Sequence, residues 1–312
     1  MSPSKFDLDA VVLGAAAMDM LAWVNHLPAR DGIELARKVE MQPGGAGANV
    51  AVATSRLGLK VGFISQIGSD EHGRILLDEF SREKVDTAAC LIVQNQPTAI
   101  CFIAIDTSGD RSMVAMGGAG PIERREELDR DYLSKARLFY LTDVGPVILQ
   151  FTAEIARAQK SLLIYSPGGI MASKGFDAFV DILPDVDLLL LSQNESNSLL
   201  PGIPPQLAVR EFFEKGARNV VITLGAGGAL LHNSEGTIFI PSFPVDSVVD
   251  TTGAGDALAG GLIAGLLCGD SIRNSIRSGC AAASIKITRP GARAGLPTRE
   301  QLDIFLSSHP LE

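Results

Sequence analysis

Positive charge is in short supply in this chain: 27 Lys and Arg stand against 36 Asp and Glu, for a formal net charge of −9. A surface of that average sign repels phosphate backbones, which excludes a nucleic-acid partner but leaves room for a local basic pocket around one small anion. Cysteine is scarce too. Its four residues, Cys90, Cys101, Cys268 and Cys280, form no CxxC pair and no zinc-type spacing, so they read as reduced core thiols. No apolar run reaches the ~20 residues that a membrane-spanning helix needs; the longest lies around Leu258–Cys268. The opening MSPSKFDLDA is charged and lacks the apolar centre of a secretion signal. A soluble cytoplasmic protein with no membrane partner is expected.

Several catalytic signatures are missing as well. A dinucleotide-binding GxGxxG needs a glycine at its last position, and from Gly45, Gly225 and Gly253 that position holds Val50, Leu230 and Leu258. The chain has no Gly-Lys dipeptide, hence no standard P-loop, and neither HExxH nor GxSxG. What is present is a core: 46% of the 312 residues are hydrophobic and 20% charged, which argues against disorder.

Strand-length apolar runs recur at 9–16, 60–68, 137–142, 161–166, 186–192 and 219–225. Most are continuous rather than alternating, the pattern of strands buried on both faces of a parallel sheet. Helix-like segments lie between them at 47–58, 70–83, 148–160 and 204–216. The alternation predicts an α/β fold, a doubly wound, mostly parallel sheet with helices on both faces. Two excursions break the rhythm, 19–42 and 96–117, and read as strands without crossover helices, the second turning at TSGD. They are expected to form one small β-sheet lid over a core made of 1–18, 43–95 and 118–312.

The stretch VVDTTGAGDALAGGLIAGLL (248–267) sets two acids, Asp250 and Asp256, around a Gly-Ala-Gly turn that opens an apolar helix. The first N–H groups of such a helix have no intrahelical partner and carry the positive end of its dipole. Gly253 and Gly255 admit a ligand close to the backbone, so residues 253–255 make a nest for phosphoryl oxygens. Asp256 is then placed to take a proton from an attacking hydroxyl; the plainer alternative is a carboxylate that caps the helix.

These residues resemble a known family. DTTGAGDALAGGLIAG (250–265) is similar to the C-terminal signature of the PfkB, or ribokinase-like, carbohydrate kinases, and GGAGANVAVATSRLG (44–58) to their N-terminal one. GAAAMD, GDR, SQNE, ITLGAGGALL and ITRPGARAGLPTREQLDIF fall in the family's order over nearly the whole chain. The resemblance implies an ATP-dependent kinase with Mg²⁺ and a β lid, with Asp256 as catalytic base and the amides of Gly253, Ala254 and Gly255 as anion hole. By the same resemblance Asp19, Gly44, Gly45 and Asn49 bind the sugar, with Asp143 adding a hydroxyl contact or standing as a solvated strand-end acid. Asn194, Thr223 and Gly225, with Gly255, are implied at the nucleotide.

The sequence departs from the family at two places. Asn197 replaces the glutamate of the NxxE element that organises Mg²⁺, with Glu195 as a substitute and Asp187 nearby; Gly120 stands where ribokinases tend to carry Asn. A monovalent cation, K⁺, is implied beside the hole, held by Asp250 and Thr252 and, through backbone, by Lys286, Arg289 and Gly291. Structural capping by Asp250 is the alternative. The favoured substrate is a small sugar such as ribose or fructose, phosphorylated on a hydroxymethyl group. An adenosine-type nucleoside is the runner-up, for which Trp23, in the lid, could stack on a base. A phosphosugar, met by Arg37, Lys38 and Arg111, is less favoured, and the rival from another class is a non-catalytic sugar-binding regulator. An exposed lid edge suggests a homodimer through the lid.

Overall fold

The computed structural model describes residues 6–310; residues 1–5 and 311–312, the extreme ends of the expected core segments, lie outside the described residues. In chain order the strands are β1 (Leu8–Leu13), β2 (Ala17–Trp23), β3 (Lys38–Gly44), β4 (Val61–Ile64) and β5 (Gln66–Gly68). They continue as β6 (Leu91–Val93), β7 (Ile100–Ile105), β8 (Arg111–Ala115), β9 (Ala136–Thr142) and β10 (Leu162–Ser166). Last come β11 (Leu188–Ser192), β12 (Val220–Thr223), β13 (Ala229–Asn233) and β14 (Gly236–Ile240).

Eight strands form one sheet in the order β14-β13-β12-β11-β10-β9-β1-β4. Its strands from β4 to β12 run parallel, and β13 and β14 finish it as an antiparallel hairpin. The continuous apolar runs explain the burial. Ala10 and Val12 of β1 point into one core cluster with Phe63, Leu138 and Val221, whereas Val11 and Leu13 point into the other with Phe139, Leu163 and Val220. Each fully buried Val, Leu or Phe contributes roughly 1.5–3 kcal/mol. The helices Ala46–Arg56, Ala254–Cys268 and Ile272–Lys286 cover the first face, and Pro146–Gln159 and Pro205–Glu214 the second.

A second sheet, β3-β2-β7-β8, is built from the two excursions, and its strands begin at Ala17 and continue to Gly44. Asp19 and Gly44 therefore belong to the small sheet. The chain leaves it at Gly45, whose φ of 90° suits glycine, and an added Cβ there would lie 2.6 Å from Ala15 O. The run 60–68 is not one strand. It breaks at Ser65, because the Gln66 N–H and the Ser65 hydroxyl both turn to Gly120 O, so β4 stays in the main sheet and β5 pairs with β6. The four cysteines are free thiols.

Candidate active site

The site gathers at the carboxyl ends of the parallel strands, where open α/β sheets leave a crevice. Asp143 follows β9, Glu195 follows β11, and Thr223 ends β12. All three line a cavity of about 200 Å³ together with Gly255 and Asp256. Thr223, Gly255 and Leu258 also line a neighbouring slot of about 360 Å³, whose walls include Gly225, Phe243, Val248 and Ile287. The two spaces are therefore contiguous: one apolar and slot-like, the other lined by carboxylates.

Two glycine turns meet at the boundary. Gly253, with φ 78°, starts the helix Ala254–Cys268, and a Cβ on it would lie 2.5 Å from Ala292 O. The Ala254 N–H is already donated to Thr251 O at 3.2 Å. This narrows the expected anion hole: the first-turn amides of Gly255 and Asp256 remain without an intrahelical acceptor. A Cβ on Gly255 would meet nothing within 4 Å, so that side of the turn is open. From the other turn, Asn49 in the helix Ala46–Arg56 donates its Nδ2 to Asp256 Oδ2 at 2.8 Å.

Sequence reasoning overlooked what orients that amide. Arg293 is 6% exposed, and its Nε donates to Asn49 Oδ1 at 2.8 Å while Nη2 donates to Gly44 O at 3.2 Å. A guanidinium can only donate, so the Asn49 oxygen must face it and the NH₂ must face Asp256. Burial pushes the Asp256 carboxyl up to about 6, with the Asn49 hydrogen bond and the charges of Arg293 and Lys286 pulling it back. Asp19 is buried against Gly44, where an added Cβ would lie 2.1 Å from its Oδ2. Its carboxyl is likewise raised to about 6, first by burial and further by Asp256, against the pull of Arg293. Asp143 is half-buried in the cavity wall, and burial, then the charges of Asp256 and Glu195, lift its carboxyl to about 7.

The nucleotide residues divide. Thr223, Gly225 and Gly255 share the slot, but Asn194 lines a separate depression with Asn197. Asn197 accepts from Gly202 N at 3.3 Å, so it finishes a turn where a glutamate was expected to serve a metal. Glu195 forms a capping box with Ser192, accepting its N–H at 2.7 Å through Oε2, and still lines the cavity. Asp187 is remote from it, at the opposite end of β11, bound to Leu163 N and Arg218. Mg²⁺ usually takes one or two carboxylates plus phosphate and water, and Glu195 with Asp143 fits that sparse donor set.

Two of the residues implied for K⁺, Asp250 and Lys286, are engaged in other ways. Asp250 Oδ1 accepts from Thr252 N and Oγ1 at 2.8 and 2.7 Å, and Oδ2 from Gly291 N at 2.8 Å. Lys286 was expected to offer its carbonyl, but its ammonium turns inward and donates to Asp250 O at 2.7 Å, while its carbonyl accepts from Arg289 N. Arg289 itself is exposed. The small sheet adds a further cation, since Arg111 of β8 donates to the hydroxyls of Thr251 and Thr252 and lies 3.9 Å from Asp250 Oδ1. A free cation ~4 Å from a fixed ammonium is repelled by about 4 kcal/mol at an effective dielectric of ~20.

Comparison with known proteins agrees with this architecture. The family model described as pfkB family carbohydrate kinase matches residues 7–299. A ribokinase of Haemophilus influenzae is 32% identical over 308 residues, covering 95% of this chain and 97% of that protein. A 2-dehydro-3-deoxygluconokinase of Bacillus subtilis is 30% identical, covering 85% of this chain and 86% of that protein. The solved structure of a ribokinase from Thermotoga maritima superimposes with a TM-score of 0.85 at 28% identity, over 96% of this chain and 99% of that one.

Proposed function

The chain belongs to the pfkB family of carbohydrate kinases, ATP-dependent phosphotransferases acting on hydroxyl groups, and from that premise we propose that it phosphorylates a hydroxymethyl group of a small uncharged sugar with Asp256 as base. The observation that carries this reading is the hydrogen-bonded series from Arg293 through Asn49 to Asp256, which ends beside the open amides of Gly255 and Asp256. The sugar lies over Asp19, Gly44, Gly45 and Asn49. The adenine enters the apolar slot, and the phosphates run past Thr223 and Gly255 into the carboxylate-lined cavity.

Asp256 accepts the hydroxyl proton as the sugar oxygen bonds to the γ-phosphorus and the bond to the bridging oxygen of ADP breaks. The Gly255 and Asp256 N–H groups receive charge on the transferring phosphoryl oxygens, where a single well-placed donor is worth a factor of about 10²–10³. Bound Mg²⁺, held through Glu195 and Asp143, would neutralise charge on the β- and γ-phosphates. The segments 19–42 and 96–117 act as the lid that excludes water. Arg111, already on Thr251 and Thr252, is the lid's contact with the turn.

Lid chemistry favours an uncharged sugar over a phosphosugar or a nucleoside. Arg37 is bound to Val24 O, Lys38 pairs with Glu40, and Arg111 is occupied at the turn. The Lys38 ammonium also covers the Trp23 ring, 4.9 Å from its centroid, so the ring is not free to stack on a base. On the small sheet, register puts Val39, Met41 and Val114 on one face, 56%, 36% and 55% exposed. Such an apolar surface supports a homodimer through the lid.

ATP turnover measured against ribose, fructose, 2-dehydro-3-deoxygluconate, a hexose phosphate and adenosine tests the proposal. Preferred turnover of an uncharged sugar is expected. Turnover of none of them, alongside saturable sugar binding, would instead mark a regulator.

A further inference from the structure

The helix Ile272–Lys286 ends on a lysine that is 0% exposed. A buried ammonium is costly unless oxygen receives it. Here the receiver is the backbone carbonyl of Asp250, at 2.7 Å, in the turn that leads to the anion hole. The side chain of the same aspartate is spent on ordering that turn, through Thr252 and Gly291. Several atoms from which a carbonyl-lined cation site could be built are thus engaged or face an existing positive charge. Lys286 O accepts from Arg289 N, Ile287 O accepts from Val249 N, and Arg111 stands on the lid side of the Asp250 carboxylate.

We propose that the Lys286 ammonium is a tethered monovalent cation: it takes the position from which a free ion would brace the 250–253 turn, so this chain shapes its anion hole without potassium. Lys286 is a positioning residue that acts through Asp250 O. Burial lowers its pKa and Arg111 adds to that drop, while the charges of Asp250 and, to a smaller extent, Asp256 oppose it. A covalently attached cation needs no capture from solution, and the geometry of the turn becomes independent of ion concentration. The inference rests on the kinase reading only for its rate measurements; its structural half stands apart.

The test compares wild type with Lys286→Met in potassium chloride and in tetramethylammonium chloride at matched ionic strength, by melting temperature and by kcat/KM. Wild type should show the same melting temperature and rate in both salts. Lys286→Met should melt lower and turn over at least about tenfold more slowly, and should recover on both counts with K⁺ or NH₄⁺ but not with the bulky tetramethylammonium ion. A saturable potassium-dependent rise in wild-type melting temperature overturns the assignment, as does a folded Lys286→Met that gains nothing from either small cation. If that variant does not fold, the wild-type titration still decides. If no sugar is turned over, the kinase reading fails, but the melting data still judge the lysine.

Discussion

Asp250 and Asp256 lie at the two ends of one glycine turn, and the protein drives their ionisation in opposite directions. Burial acts on both to favour the neutral acid. At Asp250 it is outweighed by hydrogen bonds from Thr252 and Gly291 and by the Lys286 charge, so the carboxyl falls below its usual range. At Asp256 a single amide and more distant cations do not outweigh it, and the carboxyl rises to about 6. The contrast sorts their roles: a carboxylate kept charged holds structure, and one poised near neutrality can exchange a proton with substrate.

Exchanging either acid for its amide should separate those roles most sharply. Asp256→Asn is expected to lower kcat by about 10²–10⁴ with a modest change in sugar KM, read by steady-state kinetics. The same variant should be more stable than wild type. Asp256 has a folded pKa above its unfolded value, so the folded state binds more protons between 3.8 and about 6, and stability falls as pH rises through that window. Removing the charge should therefore add about 1–3 kcal/mol above pH ~6 and nothing below pH ~4, by denaturant titration.

Asp250→Asn should do the reverse, costing about 2–4 kcal/mol at neutral pH because it leaves the buried Lys286 without its nearest counter-charge. Its folded pKa is depressed, so this contribution is present above the unfolded pKa and is lost as pH falls through the folded one. The expected loss should therefore shrink in acid.

The paired glycines give a smaller contrast. Gly253→Ala meets Ala292 O and a φ of 78°, and should cost about 1–3 kcal/mol of stability. Gly255→Ala meets nothing, so its melting temperature should hold while kcat drops, because the methyl group enters space meant for phosphoryl oxygens. Equal stability losses in both would contradict the assignment of the open side. Arg293→Met removes a buried charge together with its bonds to Asn49 and Gly44, and beyond that structural loss it should raise the pKa of Asp256, since the lost positive charge was lowering it.

Much of this architecture is legible before any coordinates. Unbroken apolar runs such as 137–142 can be buried only between two layers, and β9 lies inside the sheet with neighbours on both sides. The turn at Gly253 announces itself by composition. What escapes sequence reading is long-range or depends on side-chain direction. Arg293 bonds Asn49 across 244 positions, and nothing in GARAG marks its arginine as buried. Whether Lys286 offers the turn a carbonyl or an ammonium depends on which way a flexible stem points, and periodicity carries no such information. The break at Ser65 is hidden for a related reason: the apolar pattern continues while the hydrogen bonds change partner.

The pH dependence of kcat/KM, in wild type and in Arg293→Met, tests the role of Asp256 most directly. The account predicts an acid limb near 6 in wild type, to which Asp19 and Asp143 also contribute, with activity falling as pH drops through it, and a limb displaced upward in the variant, where Asp256 and Asp19 both lose a charge that lowers them. A profile that stays flat through that range in both proteins would contradict it.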